Sequence, residues 1–416
     1  MSHPQRSGLT ALSAIPVAIG SVAGAGILSL PSAVYVEAGT ASTVVWGLAA
    51  AACIPMLVMF RDAMALSGDG DAVQTLVGRG LRTWVGSAMP LMFLAVVVIG
   101  LPTGGVVAGR YVEEGLPLPL PAPVVAGGIL VVALVADLLG GTVGRGLQLV
   151  GAAVLLVTGA VLVGSGFGRA VYPVPVVPDP ADWRHVVPGV LLAFWAFVGF
   201  ENLTFLGRDL RRPARDFLPV SAVALGVYGV FALGSTLAVA ATVDRGAVDT
   251  VTGLLQLATT PAAQAGVSLV ALAAMLVNAA AWVRGVSRLV AGAARDGQLP
   301  RDLEHRPLLR TASLATLLGV TLAVLTIVPD LVVSALAASS AVFVVIYLIC
   351  TVSYVRVVGL RLRTALNVLL VPAMIVTLVG SAGRSLYGLT VAVACLGWCF
   401  LIHRRRRRTS APAQDV

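Results

Sequence analysis

The chain contains no lysine: all 28 of its basic residues are arginine. This removes every mechanism that needs an amine side chain, including the lysine of a phosphate-binding loop and the Schiff base to pyridoxal phosphate or retinal. ATP-driven pumping by this chain alone is excluded with them. Arginine in place of lysine, beside abundant Ala, Val and Gly, is the pattern that a GC-rich bacterial genome produces. Charge is scarce as well, at 11% of residues, under half the ~25% usual in soluble domains, and that excludes a soluble enzyme. Only four cysteines occur, Cys53, Cys350, Cys395 and Cys399, all inside apolar runs where they read as small packing residues rather than a disulfide framework. The four histidines (His3, His185, His305, His403) are scattered near polar segments, and neither H-E-x-x-H nor G-x-S-x-G occurs. No enzyme, metal ion or cofactor is expected.

What the chain does have is apolar length. Residues of the AVILMFWYC set make up 58% and glycines number 45, enough for roughly a dozen spans of ~20 residues. Stretches such as VVAGGILVVALVA do not alternate with polar residues, which rules out a transmembrane barrel. The fold class is all-α integral membrane. Charges, prolines and glycine clusters divide it into twelve spans: 10–35, 41–60, 84–109, 121–140, 146–165, 187–206, 217–242, 264–291, 309–328, 331–353, 364–382 and 384–402. With the N-terminus inside, 22 arginines fall on the cytoplasmic side and five outside (Arg110, Arg169, Arg184, Arg245, Arg384), leaving Arg284 within a span. That asymmetry supports twelve spans and cytoplasmic termini in a bacterial plasma membrane. The run HRRRRR in the 403–416 tail reads as a topology anchor that attracts anionic lipid, and nucleic acid is not needed to explain it. MSHPQRSG lacks the pattern of a signal peptide. No connection is long enough for a separate soluble fold, and the proline-rich 172–183 segment reads as an extended external loop.

Two spans carry sequence that helices resist. The first, GSVAGAGIL, places Gly20, Gly24 and Gly26 near its middle; the sixth, FWAFVGFEN, places Gly199 beside Glu201, a carboxylate well inside an apolar run. Glycine loosens a helix and frees backbone groups that only a lined cavity can satisfy within hydrocarbon. Interruptions at matching positions of two halves point to a midplane binding site in an inverted-repeat transporter. Close helix packing accounts equally well for the glycines alone. A dinucleotide-binding reading of GAG fails for want of a preceding strand and a βαβ unit. An ionisable group in a span is by default a functional candidate, with a structural ion pair as the alternative for Glu201.

Three stretches, GSVAGAGILSLPS, FWAFVGFENLTFLGRDLRRPARDFLPVS and SRLVAGAARDGQLP, in this order and spacing, resemble the amino acid, polyamine and organocation (APC) transporter superfamily over essentially the whole chain. GLP at Gly100–Pro102, IYLIC at Ile346–Cys350 and SLYGL at Ser385–Leu389 resemble in particular its branch of bacterial methionine and branched-chain amino acid exporters. The resemblance implies helices 1–5 (within 1–165) and 6–10 (187–353) as inverted repeats with breaks in 1 and 6, and helices 11–12 (364–402) at the periphery.

It also implies roles for residues. The substrate carboxylate would rest on backbone amides of Ala23, Gly24, Ala25 and Gly26, as a half-helix N-terminus favours an anion. The amino group would meet carbonyls of Val22, Trp195 and Val198. Glu201 matches a proton-coupling glutamate, and a carboxyl buried in apolar surroundings exchanges protons nearer neutral pH. Trp282 lies fifteen residues before Gly297, as a stacking or gating tryptophan does in the arginine antiporter branch. Ala25 stands where many relatives carry Ser or Thr, so binding there rests on main-chain groups. Neither the helix 5 lysine that one branch uses in place of sodium nor the paired helix 8 hydroxyls expected of a sodium site are present, which favours protons. The implied pocket has no second carboxylate, which favours neutral substrates over cationic ones. The expectation is a secondary transporter of neutral amino acids, working outward in exchange for protons, in the lipid bilayer as a monomer or homodimer. Uptake or exchange on the same scaffold is the alternative. A non-transporting sensor is a rival of another class; it would bind substrate without flux.

Overall fold

The computed structural model describes residues 9–22, 26–67, 71–140, 145–174, 177–197 and 210–409. Among these the regular structure is helical, and one isolated parallel bridge joins Leu9 to Leu210. Arg211 N donates to Leu9 O at 2.8 Å, tying the start of the first span to the segment that follows the sixth.

The described parts of the first span are α1 (Ala11–Val22) and α2 (Gly26–Ala38). A 3-10 turn, Gly39–Ala41, leads directly into α3 (Ser42–Ser67). That turn requires glycine, because Gly39 has φ +53° and a methyl group there would overlap the Arg245 guanidinium and the Asp182 carboxylate. Next come α4 (Ala72–Gly80), α5 (Thr83–Gly115), α6 (Ala122–Leu138), α7 (Arg145–Phe167) and α8 (Val186–Phe197). The remainder is α9 (Pro213–Thr242), α10 (Pro261–Arg295), α11 (Asp302–His305), α12 (Pro307–Ile327), α13 (Leu331–Val358), α14 (Leu362–Gly380) and α15 (Ala382–Thr409). Proline opens α9, α10 and α12, where its missing N–H costs nothing because the first-turn amides have no helical partner.

Among the described residues, seven stretches are long and apolar enough to cross a membrane, and three shorter apolar helices, Ala122–Leu138, Ala153–Phe167 and Thr364–Gly380, accompany them. The described parts of the first and sixth spans also include α1 and α8. Two features differ from expectation. A helix, α4, stands in the link between the second and third spans. The last span does not stop at 402: α15 carries the arginine run to Thr409 as helix, since arginine is a good helix former and cations favour a helix C-terminus.

Burial shows which helices are central. Within the apolar windows, 72% of residues in α5 and 67% in α13 are inside the protein, against 17% in α12 and 22% in α15. The long α5 packs most extensively against α10, and α13 lies against α5, α8, α14 and α15.

Candidate functional site

Trp195, near the end of α8, is seated between two glycines. A methyl group built on Gly26, the first residue of α2, would lie 3.0 Å from Trp195 Cδ1 and 3.4 Å from Ala196 Cα. One built on Gly100, midway along α5, would overlap the far edge of the same indole, with Cζ2 at 2.9 Å. The first span, the third and the sixth therefore meet at one aromatic ring, and they can do so because two of the three contribute no side chain there.

Phe343 of α13 extends this contact into a cluster. Its ring centroid lies 6.0 Å from Trp195, 6.3 Å from Trp282, 6.0 Å from Phe93 and 5.8 Å from Tyr347. These are tilted or edge-on pairs, the arrangements that ring quadrupoles favour. Phe343 and Tyr347 are fully buried. One turn before Phe343, the hydroxyls of Ser339 and Ser340 are buried without a hydrogen-bond partner among the described residues.

Hydrogen bonds hold α2 in place beside the cluster. Tyr111 Oη of α5 donates to Leu28 O at 2.9 Å, and Ser268 of α10 donates to the Tyr111 carbonyl. On the other side, Trp46 Nε1 donates to Thr236 Oγ1 at 2.9 Å, and that hydroxyl reaches Pro31 O at 3.1 Å and Ala232 O at 2.9 Å.

The far end of α2 is strapped by charge. Arg245 donates to the carbonyls of Val36 and Glu37 and, at 2.9 Å, to Asp182 Oδ1, while Thr40 donates to Asp182 Oδ2 through both N and Oγ1. A guanidinium on the last carbonyls of a helix complements its dipole. Burial pushes the Asp182 carboxyl up, but the Thr40 and Arg245 hydrogen bonds outweigh it and leave it below the ordinary 3.8. Glu37 pairs with Arg384 at 2.8 Å and with His185 at 3.6 Å. In the loop before α10, burial likewise raises Asp249, and hydrogen bonds from Thr252 and Val251 overcome it and lower its carboxyl.

Of the expected site residues, Gly26 and Trp195 are in direct apposition, and Trp282 joins them through Phe343. Val22 ends α1. Ala23, Gly24, Ala25, Val198 and Glu201 lie outside the described residues. Arg284, one residue pair beyond Trp282 on α10, is partly buried and has a partner. Phe343 was not anticipated; the available signal was its rarity, because aromatic residues make up only 6% of the chain. A cavity of about 680 Å³ is lined by α3, α8, α13 and α14 and borders the cluster through Phe194, whose ring meets Tyr347 edge-on at 5.8 Å. Its lining, including Ile54, Phe194, Val344, Leu366 and Leu369, is apolar almost throughout, which suits hydrocarbon rather than a zwitterion.

Fold and cluster together define a multi-pass helical membrane protein with an internal aromatic cluster where the first, third and sixth spans meet. Among the described residues, no group of three or more His, Cys, Asp or Glu side chains is placed to hold a metal. Residues 9–361 match the amino acid permease family, and the chain belongs to that family. It is similar to the uncharacterized amino acid permease YecA of Bacillus subtilis (strain 168), with 24% identity over 382 residues covering 86% of each chain. The protein is an amino-acid transporter of the APC superfamily, not an enzyme.

Proposed function

We propose that the chain exports neutral amino acids, methionine and branched-chain residues among them, across the bacterial plasma membrane by alternating access coupled to protons. In this reading the protein has twelve spans with cytoplasmic termini, and helices 1–5 and 6–10 form an inverted repeat. The observation that carries it is the seat of Trp195 on Gly26: the indole lies against the first described residue of α2, beside a cluster of uncharged side chains. A half-helix N-terminus favours a carboxylate. The surrounding Phe93, Trp282 and Phe343 offer an aliphatic or thioether side chain dispersion and sulfur–aromatic contact with no charge to neutralise. Backbone groups at Ala23, Gly24, Ala25 and Gly26 take the carboxylate, and carbonyls of Val22, Trp195 and Val198 take the amino group. Glu201 carries the coupled proton, and Trp282 closes over the bound substrate.

The test is a radiolabelled amino-acid efflux panel in overexpressing cells, with and without a proton gradient. The reading expects accelerated efflux of neutral substrates only, gradient-dependent in the native chain and independent of pH after Glu201→Gln. Preferential efflux of cationic substrates would overturn the substrate class. An unchanged pH profile in the Glu201 variant would overturn the coupling role.

A further inference from the structure

We propose that the arginine-rich end of α15 is a clasp that reads membrane surface charge, its ligand being the anionic headgroup of a phospholipid. The proposal rests on the reading above that this end of the chain lies at the cytoplasmic face.

Arg404 to Arg408 follow His403 on a helix that has just left its apolar segment. All five lie within two helical turns of that boundary, roughly 9 Å along the axis, about one Debye length from the headgroups. Arg406 holds the loop that follows α10. Arg406 Nη2 donates to Asp296 O at 2.6 Å, at the C-cap of α10. The next residue, Gly297, has φ +66°, and a methyl group there would overlap the Arg406 guanidinium, so the loop closes around this side chain. A second contact comes from the same helix: Trp398 Nε1 donates to Gln298 O at 2.9 Å. The Asp296 carboxylate is held from another direction by Gln74 Nε2 of α4 at 3.0 Å. Phe400 of α15 meets Trp84 of α5 edge-on at 5.4 Å. The end of α15 thus fastens the end of α10, and α10 is one continuous helix that also carries Trp282.

Arg404 is exposed, and two residues of helix turn it about 200° from Arg406 around the axis. One helix end therefore carries a cation toward the loop and another away from it. A juxtamembrane arginine cluster is attracted to anionic headgroups. A phosphodiester, being charged, is also a stronger acceptor for Arg406 than the neutral Asp296 carbonyl. Anionic lipid draws the arginine run to the bilayer and releases the loop after α10; neutral lipid leaves the clasp closed.

The experiment uses the full chain, with its four cysteines replaced by alanine and spin labels at Arg301→Cys and Thr409→Cys, in vesicles of phosphatidylcholine alone or with phosphatidylglycerol. The expected result is a longer label separation with phosphatidylglycerol. In unlabelled native chain, amino-acid counterflow should rise about fivefold, at the lower end of ordinary allosteric coupling. Glutamine at 404, 405, 407 and 408 should abolish both responses, and lysine at the same positions should restore them. Arg406→Gln should give the faster flux in either lipid, and inorganic phosphate added to phosphatidylcholine vesicles should reproduce neither response. An unchanged separation between the two lipids, or a lipid response that survives the glutamine variant, would overturn the proposal. Absence of flux in every lipid would count against the transport mechanism proposed above, while the label separation still decides the clasp.

Discussion

Gly100→Ala isolates the contact on which the candidate site depends. In a helix interior alanine is favoured over glycine by roughly 0.5–1 kcal/mol, so with free space beside it the substitution would stabilise the protein. Gly100 has no such space: the added methyl overlaps the edge of the Trp195 indole, and Cζ2 and Cζ3 stand at 2.9 and 3.1 Å. The ring cannot simply retreat, because Gly26 and Phe343 adjoin it. Forcing a methyl into such packing costs about 1–3 kcal/mol. The steric loss therefore offsets the propensity gain and leaves a net destabilisation of about 0–2.5 kcal/mol. The sharper quantity is the coupling with Trp195→Ala, which removes the obstructing ring. In that background Gly100→Ala should become neutral or stabilising, giving an interaction energy of about 1–3 kcal/mol. Thermal unfolding of the four purified proteins in detergent measures the cycle, and substrate counterflow on the same samples should show Gly100→Ala impaired beyond its change in stability. A coupling energy indistinguishable from zero, with full transport by Gly100→Ala, would refute the reasoning.

Two further outcomes follow from the supports of α2. Tyr111→Phe removes the bond to Leu28 O while keeping the ring, and should cost about 0.5–1.5 kcal/mol in unfolding experiments; a silent substitution would mean that this bond adds nothing to the hold on α2. The Asp182 carboxyl lies below its ordinary 3.8 in the folded protein, so the stability it contributes is complete above about pH 4 and fades only as pH falls through the lowered folded value. Asp182→Asn should therefore lower the melting temperature by a constant amount between about pH 5 and 8 and by progressively less in stronger acid. A deficit that grew with acidity would contradict this.

The membrane class and the position of the helices were legible because an apolar run near 20 residues is a sufficient signal by itself. The third span, for instance, was placed at 84–109 and stands as Thr83–Gly115. The helix α4 was overlooked because it is short and only half apolar. Its signal was nonetheless present: Asp71 caps the Gln74 amide at 2.7 Å, and Ala72, Val73, Leu76 and Val77 form its buried stripe. Within the site, the glycine-rich sequence of the first span drew attention to Gly26, and its seat against Trp195 is read from the structure, while the expected interruptions lie outside the described residues. Phe343 could not be placed in the same way. The helix that bears it is apolar on nearly every side, so its pattern does not say which residue faces a binding region. Only the packing of α13 against α5 and α8 turns that ring toward Trp195 and Trp282.

The strap at the far end of α2 has a consequence for mutational tolerance. Arg245 grips main-chain oxygens at positions 36 and 37, and a main-chain oxygen survives any replacement of the side chain that shares its residue. Drift at Val36 leaves the fastening untouched, whereas at 245 lysine would keep the charge and forfeit the forked reach to two carbonyls and a carboxylate. A saturation library should accordingly show a permissive column at 36 and a nearly empty one at 245.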